Sequence, residues 1–483
     1  MMSRTAAILA TLVAYKLILI GIGVWASRRT RSAEDYYLGG RRLGPWVAAL
    51  SASASSSSAW TLLGVSGFAF GFGLSAIWLF PGCVGGFLLN WYVLAPRLRE
   101  AARRNGSITV TGFLAGPVGT PYRKPIIYLA SAIVIVFLTL YVASQFQGAG
   151  KTFAETFDIG ATEAILLGSA IVVLYTLIGG FWAVSVTDTL QGLVMAATSV
   201  ALPLAALVAV GGPMELFRSL QAVPIEGFAS PFGNMGAAAA IGFIAGLLGI
   251  GLGYPGQPHV VNRFMALRAG DSAMITARRV AMTWAVLVYT GMITLGLCGR
   301  ILLPYLADRE VVFLAATDAL FPPILAGVMV AAVLSAIMST ADSQLLVAGS
   351  ALTHDLGIGG GDNRKTLLWS RITVLSLSIA AILTALYGPQ QIFSPVLVAW
   401  SALGAAFGPL LLVTVIKGPV PPGKTLAAMA TGLILAITGV AIKSTGVAGT
   451  WGPVLERVVP FTVALLVAAW PVSGTSNHRE KNP

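Results

Sequence analysis

Apolar runs of about 20 residues recur along the whole chain, each closed by a short stretch rich in Gly, Pro, Arg or Lys. Read in 19-residue windows, they predict about thirteen spans, beginning near residues 6, 46, 75, 126, 162, 189, 236, 281, 322, 366, 391, 426 and 455. A helix of that length crosses the hydrocarbon of a bilayer with every backbone group bonded internally. Barrel strands would alternate apolar and polar residues, and these runs do not. The expected fold is therefore an all-α integral membrane protein. The first run, 6–26, is too long for the apolar core of a signal peptide and is preceded by Arg4 alone, so it is expected to persist as a span. Lys16 within it either snorkels or faces protein.

Composition removes the soluble alternatives. The 483 residues are 56% hydrophobic and 10% charged, with a mean hydropathy of +0.84, leaving too little polar surface to cover a water-soluble globule. The net charge of +12 would suit a nucleic-acid binder if it formed one face. Instead it is dispersed in short clusters: Arg28, Arg29, Arg31, Arg41 and Arg42; Arg97, Arg99, Arg103 and Arg104; then Arg263, Arg268, Arg278, Arg279, Arg364 and Lys365. If all lie on one side, that side is cytoplasmic, the N-terminus is outside and the tail 473–483 is inside a plasma (inner) membrane. The opposite loops hold only scattered charges such as Arg218, Asp308 and Glu310. Cys83 and Cys298 form neither a CxxC nor a Cys/His ligand spacing and are read as small core residues, with no transition-metal site expected. Nothing resembles GxxxxGK[ST], and the tail is too short for a kinase or nucleotide-binding domain. The chain is thus expected to be neither an ATP-driven pump nor an enzyme, and to need no organic cofactor.

Polar interruptions of the apolar pattern carry the chemistry. Ser51 to Trp60 reads SASASSSSAW. Serines that bond back to the preceding turn loosen the helix and free carbonyl oxygens at membrane depth, which is tolerated only beside a cavity; the alternative is a small-residue packing face. Ala336 to Gln344 reads AIMSTADSQ and places the hydroxyls of Ser339 and Thr340 near Asp342 and Ser343. Hard oxygens on one helix suit an unpolarisable cation such as sodium, unless Asp342 merely sits at the interface and caps the helix end. Gly249 to His259, GIGLGYPGQPH, forbids a regular helix and projects Tyr254, or else is an ordinary helix exit. His259 is given no role. Asp188 lies at the cytoplasmic mouth of the sixth span, where it guides a departing cation or caps the helix. Tyr141 sits in a polar-flecked fourth span, with an interfacial belt position as its alternative.

Five strings carry a resemblance: DYYLGGRRLGPWVAALSA, LNWYVLAPRLR, GGFWAVSVTDTLQG, GLGYPGQPHVVNRFMAL and MSTADSQLLVAGSALTHDL. They resemble the sodium:solute symporter family, and within it the sodium/proline symporter branch. The resemblance implies a LeuT-like core of two inverted five-helix repeats within a single transporter domain, 1–483. Its parts would be an extra N-terminal span at 6–26, the core at about 46–415, C-terminal spans at 424–472 and the tail 473–483. It implies a sodium site made by the carbonyls of Ala54, Ser57 and Ala336 and the hydroxyls of Ser339 and Thr340. A second sodium site or exit path would involve Asp188, Ser339, Asp342 and Ser343. Substrate contacts would fall on Ser56, Ser58, Ala59, Tyr141, Ile250 and Tyr254.

This sequence departs from the proline branch at two of those positions, where Ser56 replaces an acidic residue and Ile250 replaces a tryptophan. The first change is expected to weaken sodium affinity or alter coupling; the second widens the solute pocket and removes a stacking surface. The expected function is sodium-coupled uptake of a small organic solute, an amino acid such as proline. Its expected partners are that solute, sodium and membrane lipid, with no nucleic acid, in a monomer. The competing class is a solute sensor or uncoupled facilitator on the same membrane fold. A channel is disfavoured, since no ring of charge or filter-like loop is present.

Overall fold

A computed structural model describes residues 3–27, 38–178, 181–358 and 363–471. In chain order the helices are α1 (Arg4–Ser27), α2 (Pro45–Ser56), α3 (Ser66–Phe72), α4 (Leu79–Leu88), α5 (Ala95–Arg104), α6 (Val110–Ala115), α7 (Arg123–Phe157), α8 (Ala161–Ile178), α9 (Phe181–Val210) and α10 (Pro213–Ala222). They continue as α11 (Ala237–Leu248), α12 (Pro258–Ala266), α13 (Asp271–Leu302), α14 (Val312–Leu320), α15 (Pro323–Ser350), α16 (Asn363–Tyr387), α17 (Phe393–Lys417), α18 (Pro422–Ser444) and α19 (Gly452–Ala469). Among the described residues the sole β feature is an isolated bridge between Leu43 and Leu267, and eleven helices are long and apolar enough to cross a membrane. Arg28, Arg29, Arg31, the side chain of Arg364 and the tail 473–483 lie outside the described residues.

Burial sorts the helices into centre and shell. The most apolar windows of α17 and of the span containing α15 are 94% and 83% buried, against 28% for α1 and 33% for α18. The central pair must therefore be apolar or paired all round, while the outer helices offer a lipid-facing side. α1 packs on α9 and α15, and α19 on α11, α17 and α18.

Two spans are broken, both where the sequence loses its regular pattern. After α2 the chain leaves helical geometry at Ser57 (φ −123°, ψ 80°), whose N–H reaches back to the Ala54 carbonyl at 3.1 Å. Ser58 restarts the span by accepting the Trp60 N–H on its hydroxyl at 3.1 Å, as an N-terminal cap does, and a wide π turn, Trp60–Val65, leads into α3. The second break lies between α11 and α12, where Gly249–Gly256 tightens into 3₁₀ geometry and Pro258 opens α12. A Cβ on Gly253 would stand 2.1 Å from the Trp400 indole nitrogen, so only glycine lets α17 lie flat on this segment.

Candidate ion and solute site

The broken end of α2 faces the middle of α15. Because α2 stops at Ser56, the carbonyls of its last turn lack the N–H partners a continuing helix would supply, and α15 meets them with hydroxyls. Ser339 Oγ lies 3.3 Å from the carbonyl oxygens of both Ala54 and Ala336, and Thr340 Oγ1 donates to the Ser55 carbonyl at 3.2 Å. Ser55 Oγ in turn donates to the Ser339 carbonyl at 3.0 Å. All these residues are buried. Four of the five residues expected to hold sodium thus converge; the hydroxyl of Thr340 points to Ser55 rather than Ser57. The oxygens are carbonyl and hydroxyl, a hard, uncharged set suited to a weakly held monovalent cation.

α15 runs without a break through this region. Asp342 is fully buried in its interior, so the reading that placed it at an interface, capping a helix end, does not hold. Asp188 is likewise buried, inside α9 and two turns past its start at Phe181, so it does not cap that helix. Its Oδ2 accepts from Ser51 Oγ at 2.7 Å and Ser55 Oγ at 3.2 Å. Arg263, expected in a cytoplasmic loop, is instead carried by α12 into the protein, where it is 1% exposed. Its Nη2 pairs with Asp188 Oδ2 at 3.1 Å, its Nε donates to Ser51 Oγ at 3.0 Å, and it also bonds Ser343 Oγ. Of the residues assigned to a second sodium, Asp188 and Ser343 therefore meet on a guanidinium, with Asp342 reached only through the Ser343 hydroxyl at 3.4 Å. That cation balances Asp188 where an ion was expected, which a buried carboxylate requires. His259, placed beside the basic loop by sequence, is buried too, and its carbonyl accepts from Arg263.

Next to this cluster lies a closed cavity of about 10 Å³ lined by Ser56, Trp60, Tyr141, Ile250, Tyr254, Val396, Leu397 and Trp400. It brings together four of the six residues expected to touch solute. Ser58 joins it indirectly, its hydroxyl 3.3 Å from that of Tyr141, and Ala59 turns its N–H to Gln145 Oε1 at 3.0 Å. Tyr141 is buried here, not in an interfacial belt. Room for about one water means that these side chains close on one another, and an organic solute requires the walls of the cavity to part. Ser56 Oγ bonds back to the Ser53 carbonyl at 2.9 Å. Trp400 was not foreseen: its indole N–H donates to the Ile250 carbonyl at 3.0 Å, and its ring meets Tyr254 edge-on with centroids 4.7 Å apart. Nothing distinguishes Trp400, Val396 and Leu397 in sequence from lipid-facing residues of an apolar run.

The N-terminal end of α17, one turn before Val396, is also tied to the site. Glu310 accepts the N–H groups of Ile392 and Phe393 at 2.9–3.1 Å and pairs with Lys151 at 2.7 Å, neutralising the helix N-terminus. Phe393 stacks on Trp60, centroids 5.4 Å apart. Among the described residues no group of three or more His, Cys, Asp or Glu converges.

The profile of the sodium:solute symporter family matches residues 36–432. The chain is 37% identical to the osmoregulated proline transporter OpuE of Bacillus subtilis, over 91% of this chain and 90% of that protein. It is 36% identical to the sodium/proline symporter of Escherichia coli, over 88% and 85%. A substrate-bound, outward-open Na+-coupled sialic acid symporter superposes with a TM-score of 0.77 at 17% identity, covering 96% of this chain and 97% of that one. The superposition shows the fold, the LeuT-like arrangement that the sequence motifs implied.

Proposed function

The chain belongs to the sodium:solute symporter family, and on that premise we propose that it is a secondary active transporter for sodium-coupled symport of a small organic solute, an amino acid such as proline, into the cell. The relatives named as proline transporters supply the solute class. The observation that carries the coupling is the break at Ser57, which sets the carbonyls of Ala54 and Ser55 against the hydroxyls of Ser339 and Thr340.

In this reading sodium binds among those oxygens, including the Ser57 carbonyl once Thr340 releases Ser55, and ties α2 to α15. Because the same break carries Ser56 and Ser58 to the cavity beside Tyr141, Ile250 and Tyr254, an ion that orders the break also orders the solute contacts. Broken helices at mid-membrane serve transporters in this way, and rocking about them exposes the site to each side in turn. One charge crossing about 100 mV supplies about 2.3 kcal/mol, enough for roughly fifty-fold accumulation of solute. Asp188, Asp342 and Ser343, with Arg263 among them, form the path by which the ion leaves. No covalent chemistry is required.

In this reading the exit opens on the cytoplasmic side of the plasma (inner) membrane, with the N-terminus outside and the C-terminus inside, an orientation that the arginine-rich loops support. The inverted-repeat core occupies about 46–415, flanked by the first span and the C-terminal spans. One chain supplies every proposed contact, so a monomer suffices. The experiment is proline uptake by purified protein in liposomes with and without an inward sodium gradient. Sodium-driven accumulation is expected; accumulation driven by a proton gradient without sodium rejects the ion assignment.

A further inference from the structure

An open groove of about 410 Å³ runs along the outer side of α2, α9 and α13, apart from the ion and solute positions. Its floor is apolar, with Leu50, Val280 and Leu287. One lip carries Trp46, on the first turn of α2 and 58% exposed. The other carries Arg279 and Thr283, one turn apart on α13. Among the described residues neither Arg279 nor Thr283 has a hydrogen bond or ion pair. Snorkelling and an aromatic belt account for Arg279 and Trp46 one at a time, but not for the concave apolar wall between them.

Depth narrows the occupant. Arg279 lies about 12 Å along the axis from the start of α13 at Asp271. At that same end Arg99 donates to the Gly270 carbonyl and Arg103 to the Leu267 carbonyl, both at 2.9 Å. The groove thus lies toward the basic end of the molecule, between an exposed arginine and an apolar wall. We propose that it binds one anionic glycerophospholipid, with the phosphate on Arg279, the ester region at Thr283 and Trp46, and an acyl chain over Leu50 and Leu287. A free phosphate gains nothing from the apolar floor, and a zwitterionic lipid brings a second positive charge to an unpaired arginine.

The position gives the lipid a function. Leu50 directly precedes Ser51, whose hydroxyl holds Asp188. The wall behind it is tightly fitted: a Cβ on Gly192 would stand 3.3 Å from the Leu50 carbonyl, and the Trp284 indole donates to the Gly192 carbonyl at 3.2 Å. A bound lipid braces the ion-site half of the broken span against α9 and α13, and its loss loosens α2.

The test is the thermal unfolding midpoint of the purified full chain, titrated with phosphatidylglycerol, phosphatidylcholine or inorganic phosphate. Phosphatidylglycerol should raise the midpoint saturably, by several degrees, in the wild type and in Arg97→Gln, a control for an arginine outside the groove; the other two additives should not. Arg279→Gln should lose that response and Arg279→Lys keep part of it. Leu287→Trp, which fills the floor and leaves the charge in place, should lose it as well. An undiminished response in Arg279→Gln or Leu287→Trp, or an equal response to phosphatidylcholine, overturns the proposal.

Discussion

The hydroxyl of Thr340 lies 3.2 Å from the carbonyl oxygen of Ser55, two residues short of the point where α2 leaves helical geometry. With Ser339 bridging Ala54 and Ala336, it makes the meeting of α2 and α15 a ring of oxygens in which each hydroxyl is satisfied by the opposite backbone. Such a ring can exchange those weak bonds for an ion without leaving a buried group unpaired, because every donor can rotate away.

Removing those hydroxyls tests the ion assignment. Ser339→Ala combined with Thr340→Ala should raise the half-saturating sodium concentration for proline uptake by about tenfold or more, the equivalent of roughly 1.4 kcal/mol. Unchanged sodium dependence places the ion elsewhere.

Ser56 offers the reciprocal test. Its hydroxyl is spent on the Ser53 carbonyl inside α2, so this position brings no charge of its own to the break. Ser56→Asp should lower the half-saturating sodium concentration several-fold, an effect read directly from sodium titrations of uptake.

The Arg263 and Asp188 pair is buried, with each charge dependent on the other. Asp188→Asn should lower the thermal midpoint sharply, since stranding one partner of such a pair costs about 3–5 kcal/mol. The double variant Asp188→Asn, Arg263→Met should recover part of that loss. A double variant no more stable than the single one would show that the pair is not what Asp188 stabilises.

Trp400 should govern solute size. Trp400→Phe removes the bond to the Ile250 carbonyl and part of the surface against Tyr254. Proline uptake should show a raised KM, and bulkier amino acids should begin to compete. Competition profiles identical to wild type would remove Trp400 from the solute boundary.

A buried pair outside the core gives a further measurement. Arg457 on α19 donates to the Gly246 carbonyl of α11 at 2.8 Å and lies 3.4 Å from Glu456, which also holds Lys443 at 2.6 Å. Arg457→Met should lower the thermal midpoint, and Arg457→Lys should restore less than half of the loss, because an ammonium cannot reproduce the guanidinium fork.

The sequence alone determined the solvent, the helical class and the family, because hydropathy and short motifs are local properties that survive without any knowledge of packing. It also located both helix breaks, since a serine run and a Gly–Pro run act on their own backbone. Tertiary structure alone decided which groups those breaks face. Arg263 reads as a loop arginine until α12 folds it back onto Asp188, and Trp400 is one apolar residue among many until α17 lays it against Gly253. Asp342 could have capped a helix end; only the uninterrupted course of α15 buries it. The physical reason is that burial and charge pairing belong to contacts between residues far apart in the chain, and a one-dimensional pattern carries no record of which partners meet.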